Sequence, residues 1–183
     1  SAGIKTYGAG GYGDGRGGTI TYGNDESGDA VPIITGSNSW DIVQIQGGVD
    51  GAYHALLSNG DTYAWGQNAY GQLGNGNTTR QYSPVSTGFS TTATSLSTTV
   101  IKIVQGKYTT YALLANGKIL SVGYGTYGLL GNGGAWSHTS TIQTVTGLDG
   151  STYAKFYVDI AGGETNGYAI TKDGKERAWG YRG

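Results

Sequence analysis

His54-Ala55-Leu56-Leu57-Ser58-Asn59-Gly60-Asp61-Thr62-Tyr63-Ala64-Trp65-Gly66-Gln67-Asn68-Ala69-Tyr70-Gly71-Gln72-Leu73-Gly74 is the stretch that decides the fold. A short apolar strand runs into Asn-Gly, a strong hairpin signal, because a two-residue turn asks both central residues for positive φ, which Asn and Gly tolerate. A second strand, 62–65, follows with a small residue, Ala64, beside a large one, Trp65. Small beside large suits sheets that crowd together at a common centre. A glycine-rich loop closes the stretch.

Working outward, the landmarks return. Asn59-Gly60 is followed by Asn116-Gly117 and Asp173-Gly174, both steps being 57 residues. Trp65-Gly66 belongs to a series with Tyr7-Gly8, Val122-Gly123 and Trp179-Gly180, whose glycines lie 58, 57 and 57 residues apart. Two landmarks holding one period imply one supersecondary unit copied about three times. Ile42-Val43-Gln44-Ile45-Gln46 reads as the first strand of a copy, with Ile101-Lys102-Ile103-Val104-Gln105 and Phe156-Tyr157-Val158-Asp159-Ile160 as counterparts. No segment has helical periodicity. The expectation is an all-β chain: a β-propeller-like array of about three four-stranded antiparallel blades, a single unit over residues 1–183, with copies near 8–65, 66–122 and 123–179.

Propellers close with about four to eight blades, so three periods leave the ring incomplete. Residues 4–7 and 176–179 occupy the same strand register and duplicate each other. Either the chain is a segment of a longer array, which the absence of any Met also allows, or copies of it assemble. Exposed terminal edges need a cover in both cases.

Composition bounds the function. With 36 Gly, 15 Tyr and 13% charged residues among 183, turns and strands dominate. Without cysteine there is neither a disulfide framework nor a thiolate site. No apolar run reaches membrane-spanning length, so membrane insertion is not expected. Residues 1–100 carry 3 basic and 7 acidic side chains and residues 101–183 carry 8 and 5, giving halves of −4 and +3; scattered surface charge is the commoner reading of such asymmetry, and head-to-tail contact between neighbouring chains is the other. No dense basic stripe invites nucleic acid.

The run from Gly48 to Gly74, with its His-Ala-Leu-Leu-x-Asn-Gly-Asp-x-Tyr-x-Trp-Gly-x-Asn-x-Tyr-Gly-Gln-Leu-Gly pattern, resembles the repeat of the regulator of chromosome condensation family. The likeness extends over nearly the whole chain. It departs from the pattern in the first copy, where Gly13-Asp14-Gly15-Arg16 replaces Gly-x-Leu-Gly and Tyr7 replaces tryptophan. The resemblance implies blades of a seven-bladed propeller, and His54 at a structural blade position. It also implies functions such as guanine-nucleotide exchange on a small GTPase or chromatin binding, with a secreted inhibitor as a further type.

Chemistry-bearing motifs are few. Gly8-Ala9-Gly10-Gly11-Tyr12-Gly13 and Gly123-Tyr124-Gly125-Thr126-Tyr127-Gly128 match a dinucleotide-binding pattern, but neither opens a helix able to hold a phosphate. No cofactor is expected. Asp25, Glu26 and Asp29 form the one weak calcium option. His54 and His138 are the two histidines, no Ser-His-Asp set can be composed, and nothing selects a carboxylate pair from Asp14, Asp25, Glu26 and Asp41. A non-catalytic chain is expected.

Subtracting the period leaves residues that the frame does not require. Trp136 stands opposite Thr79, and Trp40 opposite Ser97; Tyr22, Tyr82 and Tyr108 have no tyrosine counterpart, and His138 lies in the same variable loop as Trp136. Tyr124 recurs as Tyr181 and counts with the frame. Rigid aromatic faces among short polar groups suit protein surfaces or sugars. The reading is a binding and assembly module that recognises a surface glycan or protein through blade loops. With its hydroxyl-rich, weakly charged 86–99 segment, the chain reads as extracellular or virion-surface material of the tail-fibre kind.

Overall fold

The computed structural model describes residues 5–6, 31–32, 42–89, 98–134, 137–146 and 156–182. Strands β1 (Lys5–Thr6) and β2 (Val31–Pro32) pair as a two-stranded ladder. A four-stranded antiparallel sheet follows, made of β3 (Ile42–Gly47), β4 (Ala52–Leu57), β5 (Thr62–Gly66) and β6 (Gln81–Ser86) in that order. The next sheet repeats it with β7 (Val100–Gln105), β8 (Thr109–Leu114), β9 (Ile119–Gly123) and β10 (Thr139–Thr144). The third has three strands among the described residues, β11 (Tyr157–Gly162), β12 (Asn166–Thr171) and β13 (Glu176–Gly180). These are propeller blades in an open row. First strands β3 and β7 touch, and so do β7 and β11, which places them innermost. Pro32 and Pro84 lie on β2 and on the outermost strand β6, where a missing N–H breaks no inner ladder.

Two sequence readings need correction. In the Asn-Gly and Asp-Gly turns only the glycines have positive φ: Gly60 at 89°, Gly117 at 77° and Gly174 at 79°. Gly60 N–H donates to Leu57 O and Leu57 N–H donates to Asp61 O. The loop is thus three residues long and ends on a left-handed glycine bulge. Asn59 contributes through its side chain, Oδ1 accepting from Asp61 N–H at 2.9 Å, as Asn116 Oδ1 does from Lys118 N–H. The first strands are also displaced by one residue from the expected alignment. Ile42 and Val100 pair with Leu57 and Leu114, so Ile42 corresponds to Val100 and not to Ile101. The cause is a longer β3–β4 turn, in which Gly48 N–H reaches Ala52 O, whereas Gly106 N–H reaches Thr109 O.

Blades stack face to face. Tyr111 and Leu113 of β8 pack with Tyr157, Ile160, Ala169 and Trp179 of the third sheet, while Ala112 and Leu114 face Leu56 and Phe89. With both faces covered, β8 and β9 are buried at every residue. Strand β12 alternates instead: Gly167, Ala169 and Thr171 are buried, and Tyr168 and Ile170 are exposed. Hydrogen bonds tie the layers as well. Leu129 O accepts from Tyr111 OH at 2.6 Å and from Trp179 Nε1 of the next blade at 2.9 Å.

The glycine after each third strand has a steric reason. Gly66, Gly123 and Gly180 have φ of 96°, 110° and 112°, and a Cβ there would meet Gly51 O, Tyr108 O or Thr165 O at 2.0–2.3 Å. Each is the point where the chain leaves a blade against the backbone of the β3–β4 type of loop.

Candidate functional site

Antiparallel order puts the loops after first and third strands at one end of every blade and the Asn-Gly turns at the other. The first end therefore collects residues 48–51, 67–80, 106–108, 124–134, 137–138 and 163–165. Of the expected binding residues, Tyr108 and His138 stand there. Tyr82 does not: it lies on outer strand β6, with Arg80 over its ring at 5.7 Å. Trp40, Tyr22 and Trp136 lie outside the described residues, as do Asp25, Glu26 and Asp29. Among the described residues no group of three or more His, Cys, Asp or Glu is placed to hold a metal ion. The second dinucleotide-like string leads into a three-residue 310 turn, 126–128, not a helix.

Tyr108 and His138 meet through Tyr70 and through Tyr124, the tyrosine counted with the frame. Tyr70 contacts Tyr108 at 4.8 Å, Tyr124 at 5.0 Å and His138 at 4.9 Å between ring centroids. His138 stacks on Tyr124 at 4.4 Å and 18°. Four rings from two blades form one cluster, and the edge-on and tilted geometries are those aromatic pairs prefer. The cluster repeats one blade on, where Tyr127 meets Tyr181 at 4.8 Å. Both partners stand 57 residues beyond Tyr70 and Tyr124. Recurrence marked Tyr124 as frame because the surface itself recurs with the frame; the available signal was a tyrosine pair repeating on loops rather than on strands.

Beside the cluster opens a cleft of about 340 Å³ lined by Val49, Asp50, Gln67, Ala69, Tyr70 and Tyr108. Its polar framework is fixed by Gln72, which is fully buried. Gln72 Oε1 accepts from Tyr70 N–H at 2.9 Å and its Nε2 donates to Asp50 Oδ2 at 3.0 Å. Burial raises the Asp50 pKa above its usual value, against the opposing influences of Gln72 and Lys107. Lys107 is bonded to Glu164 and stands over the Tyr108 ring at 5.4 Å; the bond to Glu164 pushes its pKa up.

His54 is no part of this surface. It is fully buried, with Nδ1 3.1 Å from Gln105 Oε1, and burial lowers its pKa to about 4. A neutral imidazole between two blades is a packing residue.

A sequence profile described as the regulator of chromosome condensation (RCC1) repeat matches residues 59–113, spanning the second half of one sheet and the first half of the next. Residues 59–113 thus carry the pattern of one RCC1 repeat. Over 179 residues, 97% of its length, it is 27% identical to the E3 ubiquitin-protein ligase HERC2 of Mus musculus and 28% identical to that of Homo sapiens. It spans about 3% of the length of these curated relatives. Human WBSCR16 superposes with a TM-score of 0.71 at 22% identity, over 85% of this chain and 36% of that one. Yeast RCC1 (Prp20), solved bound to Kap60, gives 0.67 at 20% identity, over 93% and 37%. A second structure of Prp20p from Saccharomyces cerevisiae, described with that protein's binding to Gsp1p and histones, gives 0.64 at 22% identity, over 82% and 32%. The chain is thus an all-β row of propeller blades, as the repeat spacing predicts, with the fold of the RCC1 propellers it superposes on.

Proposed function

We propose that this RCC1 array is a non-catalytic recognition module that engages a protein surface through the loop end of its blades, centred on Tyr70, Tyr108, Tyr124 and His138. The observation that carries the reading is the convergence of these rings, from two successive blades, on one loop surface beside a cleft. Partly exposed tyrosines with fixed geometry supply contact area at little entropic cost, as at protein interfaces. Protein partners described for the yeast relative agree with this class. A glycan is the second reading, favoured by the same tyrosines with Gln67 at the cleft, and it fits an extracellular or virion-surface setting. The test is binding to protein and glycan arrays by the wild-type chain and by the folded Tyr70→Ala/Tyr124→Ala variant. Array partners lost on substitution support the loop surface; partners retained by the variant overturn it.

Assembly belongs to the same proposal. Tyr168 and Ile170 are 47% and 43% exposed, whereas Tyr111 and Leu113, 57 residues earlier, are each 1% exposed beneath the next blade. We assign this face to contact with a further blade, from another copy or from more repeats. Glu176 stands where Ile119 is buried, so the covering surface must offer it a donor. Sedimentation of the wild type against Ile170→Glu tests self-assembly: loss of a dimer in the variant supports a second copy, and a monomeric wild type excludes it.

A further inference from the structure

The Asp50 cleft deepens the loop-surface reading, on which this inference rests, because it specifies what the partner inserts. We infer that the cleft between Val49, Gln67, Tyr70 and Tyr108 receives an arginine side chain of the partner protein. Three features converge. The first is an incompletely satisfied anion: Asp50 Oδ2 is held by Gln72, while Oδ1 is buried and has no hydrogen-bond donor. A carboxylate in that state is costly, and a charged donor is the group that relieves it most.

The second is the internal cation nearby, which is already committed. Lys107 is 57 residues beyond Asp50 and Glu164 is 57 beyond Lys107, so one loop position carries negative, positive and negative charge on successive blades. Lys107 bonds forward to Glu164 rather than back to Asp50. Its ammonium nevertheless lies over the ring of Tyr108, a residue that lines the cleft and so already pairs with a cation.

The third is shape and rigidity. Gln72 locks the Tyr70 backbone to the Asp50 carboxylate, and Thr110 Oγ1 donates to Gln72 O at 2.8 Å, fixing the floor from the next blade. A planar guanidinium can lie along tyrosine faces and still direct N–H groups to a carboxylate, which a compact, strongly hydrated ammonium does less well. The cleft volume of about 340 Å³ accommodates such a side chain.

The probes are N-acetyl-arginine amide, its neutral isostere N-acetyl-citrulline amide, and N-acetyl-lysine amide, titrated into the 15N-labelled chain. Arginine amide is expected to shift the amides of residues 48–51 and 67–70 with millimolar affinity, citrulline to bind at least ten-fold more weakly, and lysine in between. Asp50→Asn, which keeps the side-chain shape, should weaken the arginine response about ten-fold. Lys107→Met, which removes a like charge, should strengthen it several-fold. Equal response to citrulline, lysine binding as tightly as arginine, an unchanged Asp50→Asn titration or weaker binding by Lys107→Met each overturns the assignment. If Tyr70→Ala/Tyr124→Ala abolishes array binding while Asp50→Asn alters neither array nor arginine binding, the loop-surface reading stands and the arginine pocket falls.

Discussion

Acid should open this protein between its first two full blades, and His54 is the residue that decides it. The imidazole is fully buried and held near pKa 4, against 6.5 for the exposed group. Because the folded value is the lower one, the unfolded chain takes up a proton between pH 6.5 and 4 that the folded chain refuses. His54 therefore costs nothing above pH 6.5 and destabilises progressively as the pH falls. Each tenfold difference in proton affinity between the two states is worth about 1.4 kcal/mol, so the full penalty is roughly 3 kcal/mol, a large share of ordinary domain stability. Urea denaturation of the wild type and His54→Gln at pH 7.5 and 4.5 measures it. Glutamine cannot titrate and can still hydrogen-bond Gln105, and the carboxylates common to both proteins, Asp50 with its raised pKa included, cancel in the comparison. The wild type should lose about 2–3 kcal/mol more than the variant over that interval. Parallel pH profiles, or an NMR titration placing native His54 near 6.5, would refute the reasoning.

Other substitutions probe the frame. Gly66→Ala puts a Cβ 2.0 Å from Gly51 O at positive φ, whereas Gly76→Ala, also at positive φ, meets nothing within 4 Å; thermal denaturation should show a loss of more than about 3 kcal/mol for the first and about 1 kcal/mol for the second. Trp179→Phe removes one of two donors to Leu129 O and should cost about 1 kcal/mol, while adding Tyr111→Phe should cost more than the two single changes together, because the buried carbonyl then loses both. The Lys102–Asp159 pair links two blades with side chains 36% and 51% exposed, so Lys102→Met should change stability by less than about 1 kcal/mol, with the difference vanishing in 1 M salt.

Much of the frame was legible from spacing because it is made of residues with strict steric roles. Gly66, Gly123 and Gly180 each face a backbone carbonyl, and Gly60, Gly117 and Gly174 each adopt a left-handed conformation, so no other residue type fits without strain. Less of the site was legible. Tyr70 and Tyr124 were hidden because a surface that repeats looks like scaffold when the period is subtracted, and Tyr82 looked like its neighbour Tyr108 although it lies on an outer strand. The one-residue displacement of β3 against β7 is not legible in the sequence, because both alignments place β-branched residues at matching positions.

By itself the sequence determined a row of antiparallel blades, since hairpin glycines and short apolar strands act over a few residues and recur every 57. Only the tertiary structure decided which residues act together. Tyr111 and Tyr168 occupy the same strand position, yet one is sealed beneath a blade and the other is exposed. Asp50 comes to line a cleft because Gln72, Tyr70 and Tyr108, brought in by separate turns of the chain, close around it. Local conformational rules are written residue by residue, whereas burial and charge pairing depend on which blade lies against which.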